Sequence, residues 1–433
     1  MGRLFGTNGI RWRYGSESPD LARLASALAS IYDELIVVRD ARAGTGVLWR
    51  SFTSLLSSAG VEVYDGGLAT TPALQFACRD MGIPGISITA SHNPPEYVGL
   101  KLISREGPEA PRSEEERVEE AYEEARPPTG PRRRILKIPV ADTYLWGTTE
   151  DLGLDLKIIV DASNGAASQI MGRGLSLSGL RVMGVFCSPG PRPCRGLDPA
   201  NDELSDIRRL VVIHSAYAGA ATDGDGDRLI LVDDRGSVVR GDRILALLAL
   251  RILGKGDKIV VSSVSSSIVD WVAERTEARV IRTRVGAPAV IEELRRSGAR
   301  LGGEDNGGIV FGERPWRDSL YALLRLIKVL DGERLTDALS ELPSIFSAET
   351  KIRVRDRIRA MEKISDTLKG EWVVDAYAVE IRGNRCLVRP SGTENVLRLY
   401  AEGKTPEEAR LTLDIFTKMI TKIIENKAYL KQK

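Results

Sequence analysis

Short runs of β-branched and aliphatic residues recur along this chain, each separated from the next by a longer amphipathic stretch. That alternation limits the fold more than any other feature. "ELIVVRD" (34–40), "GISIT" (85–89), "LKIIVDA" (156–162), "LVVIH" (210–214), "RLILVDD" (228–234), "DKIVVSSV" (257–264) and "ARVIRT" (278–283) read as buried strands. "DLARLASALASIYDE", "DRILALLALRIL" and "VIEELRRSG" read as helices. Strands and helices in alternation build parallel or mixed sheets covered on both faces, an α/β class. A similar pattern starts three times, near residues 34, 156 and 256, although the three share little sequence. From about 345 the pattern changes to half-buried alternating strands, "ETKIRVRD", "YAVEIRG", "CLVRP" and "VLRLYAE", with two flanking helices, which reads as an α+β unit. At 433 residues the chain exceeds what one core supports.

Punctuation between these elements is local. Ser113 with Glu116 three residues on reads as a capping box opening a helix over 113–126, whose glutamates form a solvated face. "ARPPTGPRRRILK" after it reads as a linker or domain edge. The stretch 405–425 reads as a terminal packing helix.

Charge and composition exclude several classes of function. A formal net charge of +1 gives no electrostatic case for nucleic acid or an anionic membrane. No run approaches the ~18 apolar residues of a membrane span, and the N-terminus lacks a signal-peptide core, so a cytoplasmic location is expected. Cys78, Cys187, Cys194 and Cys386 are scattered and read as four buried thiols of a reducing compartment. With His92 and His214 the only histidines, a zinc site is excluded in practice, and any triad must run through one of the two.

Three glycine-rich stretches carry chemistry. "DGDGDR" places Asp223, Asp225 and Asp227 on one tight turn, where alternate carboxylates converge on a hard cation, magnesium rather than zinc. An EF-hand is ruled out by Arg228 at its sixth position and Asp234 at its twelfth; a solvent-exposed acidic turn is the plain alternative. "RPSGTENVLR" gathers Arg389, Ser391, Gly392, Thr393 and Arg398, either a phosphate-binding turn or an ordinary Ser-Gly turn with solvated arginines. No nucleotide P-loop occurs. "GGEDNGG" offers Glu304 and Asn306 for paired sugar hydroxyls, or forms a simple hairpin. A fourth stretch, "TASHNPPEYVGLKL" (89–102), sets Ser91 beside His92 and leaves open whether the serine is a turn residue or a reacting hydroxyl.

Those four motifs, in that order, together with "LFGTNGIR", "RDARAGTG", "TTPAL", "RTRVG" and "RD" (317–318), resemble the α-D-phosphohexomutase family over nearly the whole chain. The resemblance implies a heart-shaped α/β architecture of four domains around a central cleft. Three are related α/β domains with mixed sheets (1–140, 141–240, 241–344), and a smaller α+β domain follows (345–433). It implies that Ser91 carries the transferable phosphoryl group and that Asp223, Asp225 and Asp227 hold Mg2+ with a phosphoserine oxygen. Glu304 and Asn306 would contact the sugar; Arg389, Ser391, Gly392, Thr393 and Arg398 would hold the phosphate that is not transferred. Arg11, His92, Lys101 and Arg228 would line the reacting phosphate, with His92 and Lys101 as acid/base candidates. The implied partners are a hexose phosphate and a hexose 1,6-bisphosphate, acted on by a monomer or homodimer. Phosphoglucomutase/phosphomannomutase activity is expected ahead of phosphoglucosamine mutase; a non-catalytic sugar-phosphate binder and a phosphatase are the alternatives of other classes. Four positions depart from the family pattern: Arg284 for the usual lysine, Gly308 for a common histidine, Val98 for asparagine and Asn395 for proline.

Overall fold

A computed structural model of the chain describes residues 4–6, 9–126, 131–392 and 394–425. It contains four sheets, and three of them are built to one plan. In each, a helix leads into a central strand: Glu34–Arg39, Lys157–Asp161 or Lys258–Ser262. That strand pairs in parallel with two neighbours, Glu62–Leu68 and Gly85–Ile88 in the first sheet. The neighbours are Arg181–Val185 and Ala218–Thr222 in the second, and Arg279–Thr283 and Leu301–Gly303 in the third. The later of the two neighbours turns back through a short loop into an antiparallel strand, Tyr97–Ile103, Leu229–Val232 or Ile309–Phe311. A further antiparallel strand closes that side. In the second and third sheets it follows in the chain, as Val238–Val239 and Arg314–Arg317; in the first it is the N-terminal Ile10–Arg13. The three-fold recurrence near residues 34, 156 and 256 is therefore a recurrence of topology.

The plan matters because it fixes where the motifs fall. Residues 89–96, 223–228 and 304–308 are the same connection in three copies, the turn from the last parallel strand into its antiparallel partner. Loops at the carboxyl ends of parallel strands are where α/β sheets present ligand sites. The fourth sheet is entirely antiparallel, and its loop 391–395 joins Asn384–Pro390 to Val396–Gly403.

One apolar cluster runs through the first three units, from Ile36 to Leu342, with Ala246, Leu247 and Leu248 of the helix Gly241–Ile252 at its centre. The fourth unit has its own core, Ile364, Leu397, Leu399, Phe416 and Ile420, and no residue of that core precedes Ala348.

Four sequence expectations are corrected. "LVVIH" is not a strand: it lies in the helix Ser205–Ile213, ending at His214. Ile207 and Val211 bury one face of that helix, while Val212 and Ile213 stay 53% and 64% exposed, a helical period hidden within a β-branched run. Ser113 and Glu116 form no capping box: the helix is Arg112–Glu124 with Pro111 at its N-cap. Arg112 instead bonds Glu115, Glu116 and Glu119 along the helix, which takes those glutamates out of simple solvation. Only Cys78 and Cys386 are buried thiols; Cys187 is half-buried and Cys194 exposed. The linker 125–137 continues into the strand Ile135–Lys137, and its residues 127–130 lie outside the described residues.

Because the fourth core is separate, Phe416→Ala, at a costed ~3–5 kcal/mol for a buried aromatic, should unfold residues 346–425 selectively. Hydrogen exchange by mass spectrometry should show lost protection there and native protection in the first three sheets; uniform loss along the chain would contradict a separate core.

Candidate active site

The floor of the site is built on three carboxylates. Asp223, Asp225 and Asp227 are each buried, with ligand oxygens within 4.8 Å of one another. Asp223 folds the loop: its Oδ1 accepts the N–H groups of Gly226 and Asp227, each at 3.1 Å, and of Arg228 at 3.3 Å. Its Oδ2 accepts the Ser91 hydroxyl at 2.7 Å. Asp225 Oδ2 takes Lys101 Nζ at 2.8 Å and the Thr71 hydroxyl at 2.7 Å. Asp227 Oδ2 takes Lys101 at 3.1 Å and Arg317 at 2.7 Å. Asp225 Oδ1 and Asp227 Oδ1 are buried with no hydrogen-bond partner among the described residues. Two orphaned carboxylate oxygens beside a third carboxylate fit a hard divalent cation, since buried acceptors otherwise go unpaired at a cost.

Charge shows the same need. Burial, with Asp227 and Asp225 alongside, pushes the Asp223 carboxyl well above the usual carboxylate range. Burial would raise Asp225 too, but Lys101 and the Thr71 hydroxyl outweigh it and hold that carboxyl below its ordinary value. Lys101, although fully buried, is held above its ordinary pKa because Asp225 and Asp227 outweigh desolvation.

Ser91 is 1% exposed and adopts φ 51°, a left-handed conformation unusual for serine. The surroundings fix it there. Its N–H donates to Thr89 Oγ1 at 2.8 Å, and its carbonyl accepts from Arg42. Arg42 also donates to the Asn93 and Tyr97 carbonyls at 3.3 and 3.1 Å. Asp40 Oδ2 holds both clamps, accepting Arg42 Nε and the Thr89 hydroxyl, each at 2.7 Å. Sequence reasoning quoted "RDARAGTG" without giving Asp40 or Arg42 a role; the signal was an acid and a base two residues apart at the end of a buried strand.

His92 Nδ1 lies 3.5 Å from Ser91 Oγ and 2.8 Å from Arg228 Nη2. Burial first, then the Arg228 guanidinium, pull the His92 pKa down to about 3, so the ring is a neutral acceptor. Arg228 is anchored on Asp198 at 3.1 Å, and Arg11 on Asn93 at 2.8 Å.

Above this floor opens a cleft of about 880 Å³ lined by residues of all four units. Seven arginines line it against four acidic residues, an excess of cation that suits a multiply phosphorylated ligand. Glu304 and Asn306 stand on one wall: Glu304 Oε1 accepts the Gly286 N–H at 2.9 Å, and Asn306 Oδ1 that of Gly308 at 3.0 Å. On the fourth unit, Arg389 and Arg398 are directly opposed across two paired strands, an unfavourable placement for like charges without a counter-ion. Both have a buried Nε without a partner among the described residues. Ser391 is buried with Oγ accepting the Glu394 N–H at 3.4 Å, Gly392 is exposed, and Thr393 lies outside the described residues. Arg357, which the sequence did not single out, ties this loop down through the carbonyls of Ser391 at 2.5 Å and Glu394 at 3.2 Å.

The departures from the family pattern are accommodated. A Cβ at Gly308 would meet Arg317 Cδ at 2.5 Å, so Arg317 fills the space a side chain there would take. Val98 is fully buried against the first strand, where it pairs with Trp12. Arg284 and Asn395 are exposed.

Two outcomes follow from this geometry. Magnesium at about 100 times its Kd should stabilise the fold by ~2.7 kcal/mol, read as a rise in Tm, and Asp225→Asn should abolish the rise; an unchanged Tm for the parent would remove the cation site. Arg42→Ala should cost about 3–5 kcal/mol of stability, as for one half of a buried pair. It should also lower turnover roughly 100-fold through misplacement of Ser91, measured by chemical denaturation and steady-state kinetics.

Comparison with known proteins agrees with this architecture segment by segment. Models of phosphoglucomutase/phosphomannomutase alpha/beta/alpha domains I, II and III match residues 2–128, 144–236 and 240–346, and the C-terminal domain model matches 349–418. A phosphoglucomutase/phosphomannomutase of Thermococcus kodakarensis is 30% identical, covering 98% of this chain and 100% of its own length. A probable phosphoglucosamine mutase of Methanosarcina acetivorans is 32% identical over 98% of this chain and 99% of its own. The crystal structure of a phosphoglucomutase/phosphomannomutase family protein from Burkholderia thailandensis superposes with a TM-score of 0.86 at 27% identity, covering 98% of each chain. With four domain models in register over the four sheets and full-length relatives at this identity, the chain belongs to the phosphoglucomutase/phosphomannomutase family.

Proposed function

We propose that the protein is a magnesium-dependent phosphohexomutase, interconverting hexose 1-phosphate and hexose 6-phosphate through phospho-Ser91 and a hexose 1,6-bisphosphate. The observation that carries this reading is the 2.7 Å bond from the Ser91 hydroxyl to Asp223 at the floor of a four-sided cationic cleft. Domains of 1–140, 141–240, 241–344 and 345–433 suit the four sheets, and residues of each line that cleft.

The chain's own groups account for the steps. In the first half-reaction the phosphoryl group leaves Ser91 Oγ for the free hydroxyl of the bound hexose monophosphate, whose proton must be taken up. In the second, the other phosphate of the bisphosphate returns to Ser91, and the hydroxyl it leaves regains a proton. His92, 3.5 Å from Ser91 Oγ, and Lys101, on Asp225 and Asp227, are the two acid/base candidates for that proton. Lys101 keeps Asp225 and Asp227 oriented, while Arg11 and Arg228 present guanidinium groups to the transferring oxygens. Asp223, Asp225 and Asp227 would hold magnesium, which in this chemistry neutralises charge on the oxygens in flight. Glu304 and Asn306 orient the sugar from one wall. Arg389 and Arg398, with the turn Ser391, Gly392 and Thr393, retain the phosphate that is not transferred.

Glucosamine phosphate is the second reading. A relative at 32% identity is named a probable phosphoglucosamine mutase, and Glu304 on the cleft wall suits an ammonium group.

Phosphorus NMR distinguishes these. Magnesium-loaded protein with a trace of glucose 1,6-bisphosphate and equal glucose, mannose and glucosamine 1-phosphates should yield 6-phosphates, and their relative rates rank the sugars. Ser91→Ala should yield none. Isomerisation that survives Ser91→Ala, or free phosphate in place of isomers, would sink the phosphoserine mechanism.

A further inference from the structure

We propose that Asp375 is a resident counter-ion of the phosphate-holding arginines, a positioning residue that occupies Arg389 until a phosphate displaces it. The inference rests on the mutase reading for the identity of the ligand, but not for the geometry. Asp375 sits at the two-residue turn between the strands Glu371–Val373 and Ala376–Ile381. Val374 before it has φ 59°, in the left-handed region where a β-branched residue is a steric outlier and hairpins ordinarily place glycine. Such a conformation persists where the surroundings over-determine it. Here both Asp375 oxygens are engaged. Oδ1 accepts the buried Ser263 hydroxyl at 2.5 Å, from the third unit, and Oδ2 pairs with Arg389 Nη1 at 3.5 Å.

The reason for a resident anion is the arginine pair itself. Arg389 and Arg398 face each other across the sheet with like charge, and each keeps a buried Nε without a partner among the described residues. An empty cage of this kind repels itself. A cage that bound phosphate too tightly would hold one end of the bisphosphate when the intermediate has to turn over. A carboxylate on the cage, fixed from the neighbouring unit, addresses both: it relieves repulsion when phosphate is away and competes for Arg389 when phosphate is bound. The Ser263 bond holds Asp375 in place while Arg389 turns toward the ligand. Ser263 begins a serine-rich loop whose alternate residues also dock the fourth unit. The Ser265 carbonyl accepts from Arg385 at 3.0 Å, and the Ser267 N–H and hydroxyl donate to Glu402 at 2.8 and 2.6 Å. Asp375 is therefore held by a built interface.

Asp375→Asn keeps the shape and the bond to Ser263 but removes the charge. Isothermal titration calorimetry of the magnesium-loaded full chain with inorganic phosphate should show about 5- to 10-fold tighter binding, the effect of removing one unit charge at this distance in a wet site. The same substitution in an Arg389→Ala background should change the Kd by about twofold at most, since the coupling runs through that guanidinium. Asp375→Ala, which removes charge and bond together, should also tighten binding. Steady-state kinetics of Asp375→Asn should show a lower KM and a lower kcat, a split that a merely structural contact would not produce. Unchanged or weaker phosphate binding in Asp375→Asn overturns the proposal, as does equal tightening with and without Arg389. Absence of phosphate binding by the parent overturns the cage. A parent that binds inorganic phosphate but none of glucose, mannose and glucosamine 6-phosphates refutes the mutase reading for these sugars while leaving the resident counter-ion intact.

Discussion

Three buried carboxylates within 4.8 Å of one another set the terms for the rest of the molecule. Their repulsion at low dielectric is large, so the fold has to bring positive charge and hydrogen-bond donors to them from elsewhere. It does so across domain boundaries. The first unit supplies Ser91, Thr71 and Lys101, and the third supplies Arg317. Backbone bonds complete the convergence: Thr71 N–H to the Asp225 carbonyl at 3.0 Å, and Leu229 N–H to the Gly307 carbonyl at 3.0 Å. The Ser319 hydroxyl donates to the Gly226 carbonyl at 2.7 Å. The acidic loop is thus both the chemical floor of the site and the point where three units meet, above an apolar cluster that the same three units share.

A repeated topology makes that convergence possible. Each of the three related sheets ends its parallel run with a strand that turns back through one loop, and those loops point at a common centre. The chemistry differs because the same loop carries different residues: serine and histidine in the first, aspartates in the second, glutamate and asparagine in the third. Within the third loop, glycine at 308 lets Arg317 pass close to the backbone on its way to Asp227. The departure from the family pattern at 308 and the placement of Arg317 are one packing solution.

Much of this was legible in the sequence, for reasons that differ by level. Strand and loop positions followed from β-branched runs ending in Gly and Asp, so the acidic loop and the serine loop could be placed before their surroundings were known. The three-fold recurrence was legible as rhythm only, because topology depends on pattern and tolerates divergent residues. "LVVIH" failed because four apolar residues cannot distinguish a buried strand from a helix that exposes Val212 and Ile213. The capping box failed because the helix begins at Arg112 behind Pro111, which puts Ser113 inside the first turn, while Glu116 bonds Arg112. Asp40 and Arg42 had no assigned role, although their residue types were visible, because their partners, Thr89, Ser91, Asn93 and Tyr97, are distant in sequence. Positioning residues act through contacts that only the fold creates.

The two ends of the cleft obey one rule with the signs exchanged. At the floor, anionic groups are concentrated beyond what they can bear alone, and Lys101 stands on Asp225 and Asp227 as an internal cation while one oxygen of each stays free. At the fourth unit, cationic groups are concentrated in the same way, and Asp375 stands on Arg389 as an internal anion while the Nε atoms of Arg389 and Arg398 stay free. In both places the protein supplies only part of the compensation, and the proposed function assigns the remainder to a divalent cation at one end and a phosphate at the other. A ligand able to complete both at once must span the cleft and carry negative charge at each end, one toward the cation and one toward the arginines. The hexose bisphosphate of the proposed reaction has that form, with negative charge at each end.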